Sequence, residues 1–327
     1  MKKIFLLLMC ACLLVSCAGT DTVATVAGTK ITKGEFEFYL ASIKRQMSDT
    51  ELSTEEDWQT KEIEGKKAID VAKERALESA VSNIEYREVL KAQGMELTAE
   101  NKQKITSIKQ SVINNHGGDA AYEEFLKKNN LTDEFIQLMC ESMVCYEKLS
   151  KKLEEDGLLT DEVLAKYYEE NKKKLDGDYR KAKHILILTK DSETQEVFSE
   201  EVQEEKKEFA ESLLEQVKEG ADFDALMNEY SEDPGLKTNP DGYLFTSGQM
   251  VPEFEQAVDS VSEGEYTICK TDYGYHIIKR LPIEYQDMKE QTKESAISDK
   301  ISEQLKEWEK KNNIKVEVNE EVMKTIK

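Results

Sequence analysis

The chain has 327 residues and carries 45 Lys and Arg against 67 Asp and Glu, a formal net charge of −22. So acidic a protein is a poor nucleic-acid binder, because neutralising phosphates takes a basic surface. With 39% apolar residues, 8% aromatic residues and a negative mean hydropathy, a polytopic membrane protein is excluded, and the length allows two domains of ordinary size.

The first feature is an apolar run, Ile4 to Val15, behind Lys2 and Lys3. It is too short to cross a bilayer, which takes about 20 residues, and its layout is that of an export signal over residues 1–16. Leu14-Val15-Ser16-Cys17 resembles the lipobox of bacterial lipoproteins. The resemblance implies cleavage before Cys17, lipidation of its thiol, and a chain held outside the cytoplasm on a bacterial cell membrane or outer membrane. An ordinary secretory signal cut near Ala18-Gly19 is the plainer alternative. Once Cys10 and Cys12 leave with the signal and Cys17 is lipidated, Cys140, Cys145 and Cys269 remain, an odd set that is no disulfide framework. Cys140 and Cys145 lie five apart in a helical stretch, so they point about 140° from each other and read as core. The histidines, at 116, 184 and 276, have no metal-ligand spacing, so neither a metal nor a cofactor is expected.

VATVAGTKIT alternates apolar and polar residues around Ala27-Gly28 and predicts a small hairpin. Thr32 with Glu35 is a capping box that starts a helix presenting Phe36, Tyr39, Leu40 and Ile43 on one face. A long helix is expected from about Ile63 to Gln93, with Ile69, Ala72, Ala76, Ala80 and Ile84 on its buried side and Gly94 as its stop. Helices then follow over 98–116, 119–128, 132–155 and 160–175, with Thr98, Thr132 and Thr160 as N-caps. From Tyr179 the pattern changes. Lys183 to Leu188 reads as a short buried strand, followed by an acidic helix and a helix over 222–230. A turn-rich stretch runs from Ser231 to Gly248, then a helix over 252–260, strands near 266–269 and 275–280, a last helix over 285–312, and KVEV.

One ordered series of motifs carries chemistry: AKHILI, GADFDALMNEYSEDPG, GYLFTSGQMVPEFEQAV, SEGEY and TDYGYHIIKRL. Together they make the segment from Arg180 to Leu281 resemble a parvulin-type peptidyl-prolyl isomerase. That resemblance implies an α+β domain, here 179–283, whose site contains His184 and His276 facing each other, Thr271 capping their network, and Asp233 where relatives carry Cys or Asp. It implies further that Met250 and Phe254, with Leu244 and Phe245 as weaker matches, form an apolar cup for a proline ring. On residue type alone the histidines could be structural, Asp233 a turn residue before Pro234, and the apolar residues core. Paired imidazoles can also lock neutral tautomers by hydrogen bonding one another. Where the family usually carries a Gly-Gly-Asp-Leu-Gly-like run before its phenylalanine, Asn239 to Phe245 has lost a glycine and makes a shorter loop, and the bulky Tyr273 stands beside the expected site.

The flanks, VATVAGTKITKGEFEFYL and LTDEVLAKYYEENKKKL, resemble the mostly helical chaperone domain of SurA-like and PrsA-like foldases, into which the isomerase domain is inserted. The expected organisation is a chaperone domain over 17–178, the isomerase over 179–283, and 284–327 returning to pack on the N-terminal domain. The implied function is a peptidyl-prolyl cis-trans isomerase and chaperone. Its partners would be unfolded or newly exported polypeptides with X-Pro bonds, the membrane through Cys17, no nucleic acid, and a homodimer as an open case. The alternative is a holdase chaperone with an inactive parvulin domain. The acidic stretch from Asp191 to Glu211 reads as a solvated face or, more sharply, as a field that attracts basic clients.

Overall fold

The computed structural model describes residues 21–48, 52–63 and 65–326, so the expected export signal and Cys17 lie outside the described residues. The chain divides into two units, one holding the residues through Asp156 together with those from Asp299 on, the other Gly157–Ser298.

The first unit opens with β1 (Thr22–Val26) and β2 (Thr29–Thr32), joined through Ala27 and Gly28, whose φ values of 46° and 79° suit a tight hairpin turn. The Thr32 hydroxyl accepts from the Glu35 amide and the Glu35 carboxylate from the Thr32 amide, which starts α1 (Lys33–Met47). After α2 (Glu55–Thr60), the long helix begins later than the periodicity suggests. Glu62–Ile63 (β3) pairs with Lys66–Lys67 (β4) around Gly65, whose φ of 78° does not fit a helix, and α3 spans Ala68–Ala92. Ile69, Ala72, Ala76, Ala80 and Ile84 are all buried. Small alanines along that face let α1 and α6 (Asp133–Glu155) pack closely on α3. Between them lie α4 (Ala99–Asn115) and α5 (Asp119–Lys128), and Thr98 and Thr132 cap α4 and α6 through their hydroxyls. Cys140 and Cys145 are buried and free. The C-terminal segment returns here. Glu317–Val318 (β9) pairs with β1, giving the order β2-β1-β9, and a short helix α12 (Glu320–Lys324) that the sequence pattern does not announce follows.

The second unit contains α7 (Asp161–Asp176), β5 (Arg180–Leu188), α8 (Glu200–Lys218), α9 (Phe223–Tyr230), β6 (Tyr243–Phe245), α10 (Pro252–Asp259), β7 (Tyr266–Lys270) and β8 (Gly274–Leu281). The strands form an antiparallel sheet in the order β6-β5-β8-β7. Alternation along the strands separates its faces. Ile185, Ile187, Tyr275 and Ile277 pack against Ala210, Leu213 and Val217 of α8 and Phe223 and Met227 of α9. Ala182, Phe245 and Ile278 pack against Phe254, Ala257 and Val258 of α10. This unit is wider than the motif-bearing 179–283 segment because α7 and residues 284–298 belong to it, so of the expected 284–327 return only the part from Asp299 on falls in the first unit. The Tyr168 hydroxyl donates to Asp176 and lies 3.1 Å from the Ile283 carbonyl, and Tyr168 is buried with Ile283 and Met288. The helix α11 (Lys289–Asn312) runs across the division at Asp299. The fold is therefore mostly helical, with an inserted α+β region.

Candidate active site

Strand register assembles the histidines. His184 lies opposite Ile278 and His276 opposite Leu186, so the two are diagonal neighbours on the sheet face that α10 covers. Their ring centroids are 5.0 Å apart at 70°. Phe254 meets both rings edge-on, at 5.3 and 5.6 Å, and Phe245 lies 5.9 Å from Phe254. The imidazoles are not hydrogen bonded to one another, a correction to the mutual lock that the residue types alone allow. The Thr271 hydroxyl sits 2.9 Å from His276 Nε2 and accepts from the Tyr273 amide at 3.1 Å. Burial pushes the His276 pKa down to about 3, His184 adds to the shift, and Asp233 opposes it. The ring is neutral at physiological pH.

Asp233 arrives on a loop. Where β6 stops covering the edge of β5, Ser231 and Glu232 take over. The Glu232 amide donates to the Leu186 carbonyl at 2.8 Å, the Leu186 amide donates to Ser231 Oγ at 3.1 Å, and the Leu188 amide donates to Glu232 Oε2 at 2.7 Å. This stitching places Asp233 Oδ2 3.3 Å from His184 Nε2, a close contact that lies off the hydrogen-bond axis of the ring. The Gly235 amide donates to Asp233 Oδ1 at 3.0 Å and the Tyr243 hydroxyl donates to Oδ2 at 2.7 Å. Burial alone would raise the carboxyl pKa. The contacts with His184, Tyr243 and the Gly235 amide outweigh it and hold Asp233 well below the usual carboxylate range.

Tyr243 is the residue that sequence reasoning missed. Its ring stacks on His184 at 5.6 Å and 10°, and burial together with Asp233 pushes its pKa up to about 12. The signal lay in Tyr243-Leu244-Phe245. Read as a strand, it puts Tyr243 and Phe245 on the site face and Leu244 on the other. Leu244 accordingly packs with Tyr168, Ile283 and Met288 and is not brought to the cup. Phe245 and Phe254 are buried, and the half-buried Met250 packs beside them. The segment carrying Met250 is held by Glu255, whose Oε1 accepts from the amides of Gly248 and Met250. Tyr273 is 48% exposed, with Lys190 Nζ 4.5 Å from the centre of its ring. Cys269 lies opposite His276 on β7, and burial, then Glu253, pushes its thiol up to about 11. Among the described residues no group of three or more His, Cys, Asp or Glu could hold a metal ion.

The arrangement offers an apolar floor, a neutral imidazole, and one ionised carboxylate fixed by dipoles. A family model described as a PPIC-type PPIASE domain matches residues 164–282, the stretch that carries all of these groups. A foldase protein PrsA of Caldanaerobacter subterraneus subsp. tengcongensis is 31% identical over 305 residues, which cover 90% of this chain and 87% of that protein. The chain belongs to the PrsA foldase family. Foldase protein PrsA of Clostridium botulinum is 27% identical over 338 residues, covering 95% of this chain and 94% of the relative. The crystal structure of PrsA from Bacillus subtilis matches at 21% identity with a TM-score of 0.28, over 95% of this chain and 94% of that one. As a member of the PrsA family, the chain is a foldase with a PPIC-type isomerase domain in its second unit.

Proposed function

We propose that this PrsA-family chain is lipid-anchored through Cys17 on the outer side of a bacterial membrane, binds unfolded or newly exported polypeptides, and accelerates rotation about their X-Pro bonds. What carries the enzymatic part is the convergence of His184, His276, Thr271 and Asp233 on the sheet face that also holds Phe245, Phe254 and Met250. Amide resonance sets the barrier, about 18–20 kcal/mol, and uncatalysed prolyl isomerisation takes tens to hundreds of seconds. Twisting the bond removes that resonance and needs no nucleophile. Met250, Phe254 and Phe245 grip the ring, while Asp233 and the histidine pair present fixed dipoles and charge to the twisted amide, without a covalent intermediate. Each 1.36 kcal/mol gained this way is tenfold in rate. The helical unit formed by the residues through Asp156 and from Asp299 on is the chaperone part, suited by its amphipathic helices to cradle unfolded chain. Supporting the anchor is the lipobox-like Leu14 to Cys17 directly behind an apolar run.

A protease-coupled peptide assay on the full-length chain in detergent, run beside an aggregation assay, tests the reading. His184→Ala with Asp233→Ala should abolish isomerisation and spare suppression of aggregation. An unchanged rate would refute the site assignment, and a wild type that only suppresses aggregation would make the protein a holdase. Cys17→Ala should move it out of the membrane fraction.

A further inference from the structure

Three observations converge on the side chain that the family motif does not assign. The Tyr243 hydroxyl donates to Asp233 Oδ2 at 2.7 Å. Its ring lies parallel to the His184 ring, centroids 5.6 Å apart. Its seat is cut to shape at two glycines. A Cβ on Gly235 would fall 2.1 Å from the Tyr243 hydroxyl oxygen, and one on Gly242, where φ is 93°, would fall 2.6 Å from the Ala182 carbonyl oxygen. The second glycine lets β6 lie close on β5, and the first leaves room for the phenol to reach the carboxylate.

We infer that Tyr243 is a positioning residue of the isomerase site, fixing the Asp233 carboxylate with its hydroxyl and the His184 ring with its face. The inference rests on the isomerase reading above and deepens it. Asp233 needs such a partner. Its Oδ1 is held by the Gly235 amide, but the His184 contact to Oδ2 is long at 3.3 Å and off-axis, so without the phenol the second oxygen has no short bond. The carboxylate would then be free to rotate toward water. Its distance from the substrate amide would vary, and a dipolar site loses most of its advantage when its groups must reorganise during the reaction. The Asn239 to Phe245 run thus replaces a glycine-rich turn with a built wall, in which Tyr243 and Phe245 face the site together.

A double-mutant cycle decides it: wild type, Tyr243→Phe, Asp233→Asn and the pair, each as the full-length chain in detergent, read by kcat, KM and the urea midpoint. Tyr243→Phe keeps the ring over His184 and removes only the hydroxyl. It should lower kcat about tenfold, the rate equivalent of one charge-assisted hydrogen bond, with KM within about twofold. In the Asp233→Asn background the same change should cost nothing further, because the group it acts through is already altered. A merely structural tyrosine would instead lower the urea midpoint and leave kcat unchanged. Full activity of Tyr243→Phe, or an equal loss in both backgrounds, overturns the inference while the isomerase reading stands. A wild type without activity overturns the isomerase reading, and this inference with it.

Discussion

His276 gives the sharpest test of the site's electrostatics. It is 6% exposed, enclosed by Phe254, His184 and Thr271, and its pKa is pushed down to about 3 by burial first and by His184 second. In the unfolded chain a histidine takes up its proton near pH 6.5. Between those two values the unfolded state binds a proton that the native state refuses, so stability is complete above pH 6.5 and is lost as pH falls, by ~1.36 kcal/mol per unit. Going from pH 7 to pH 5, this one group should cost the second unit about 2 kcal/mol, roughly thirtyfold in its unfolding equilibrium. Tryptophan fluorescence would miss the effect, since Trp58 and Trp308 both belong to the first unit. Hydrogen exchange of the protected amides in β5 and β8, corrected for intrinsic rates, reports the right unit. The comparison is between wild type and His276→Gln, which keeps a polar side chain but cannot titrate. The variant starts lower, having lost the Thr271 contact, yet its stability should fall about 2 kcal/mol less between pH 7 and pH 5. Equal pH dependence in the two proteins would refute the claim that the ring is held neutral.

Two further predictions concern other parts of the chain. Glu85 on α3 is 1% exposed, and burial, with Glu309 beside it, raises its pKa far above the carboxylate range. The sign is opposite to that of His276: the native state keeps a proton that the unfolded chain has released, so stability present below about pH 4.5 is lost as pH rises, by up to ~1.36 kcal/mol per unit. Glu85→Gln should remove that loss and raise the urea midpoint at pH 7.5, read by tryptophan fluorescence; an unchanged or lowered midpoint counts against a protonated Glu85. Gly242→Ala places a Cβ against the Ala182 carbonyl at a positive φ and should cost ~1–3 kcal/mol in the second unit, with isomerase activity falling as β6 lifts from β5. Wild-type exchange rates in β5 would show that the strand tolerates it.

The helices and their caps were legible because their determinants are local. Thr32, Thr98, Thr132 and Thr160 announce their own hydrogen bonds, and alanines at spacings of three and four mark the buried side of α3. Short pairings were not legible. Glu62–Ile63 with Lys66–Lys67 and the three-residue β6 bury too little for a periodic signal. The motif resemblance located His184, His276, Thr271 and Asp233, which the structure brings together, but not which way Leu244 faces. That depends on β6 being a strand, where a shift of one residue exchanges its two faces. Tyr243 was missed for the same reason.

The acidic composition divides in a way that composition alone could not show. Between Arg180 and Ile283 there are 11 Lys and Arg against 23 Asp and Glu, and the densest run lies on α8. Glu201, Glu204, Glu205, Glu208 and Glu211 are exposed there, while Ala210, Leu213 and Val217 pack on the sheet face opposite the one that carries the histidines. The acidic side is therefore the solvated side of an amphipathic helix, across the sheet from the site, where salt screens it over about 10 Å. Inside the site the balance is different. One carboxylate, Asp233, is compensated by an amide, a phenol and an imidazole, and the buried His276 is held neutral. Rotation about an amide redistributes partial charge between carbonyl and nitrogen and transfers no whole charge. Short, fixed dipoles at hydrogen-bond range match that redistribution, and a distant field from α8 does not. The net charge of −22 bears on which macromolecules the surface tolerates, and the proposed isomerase chemistry rests on a few short contacts around one half-buried carboxylate.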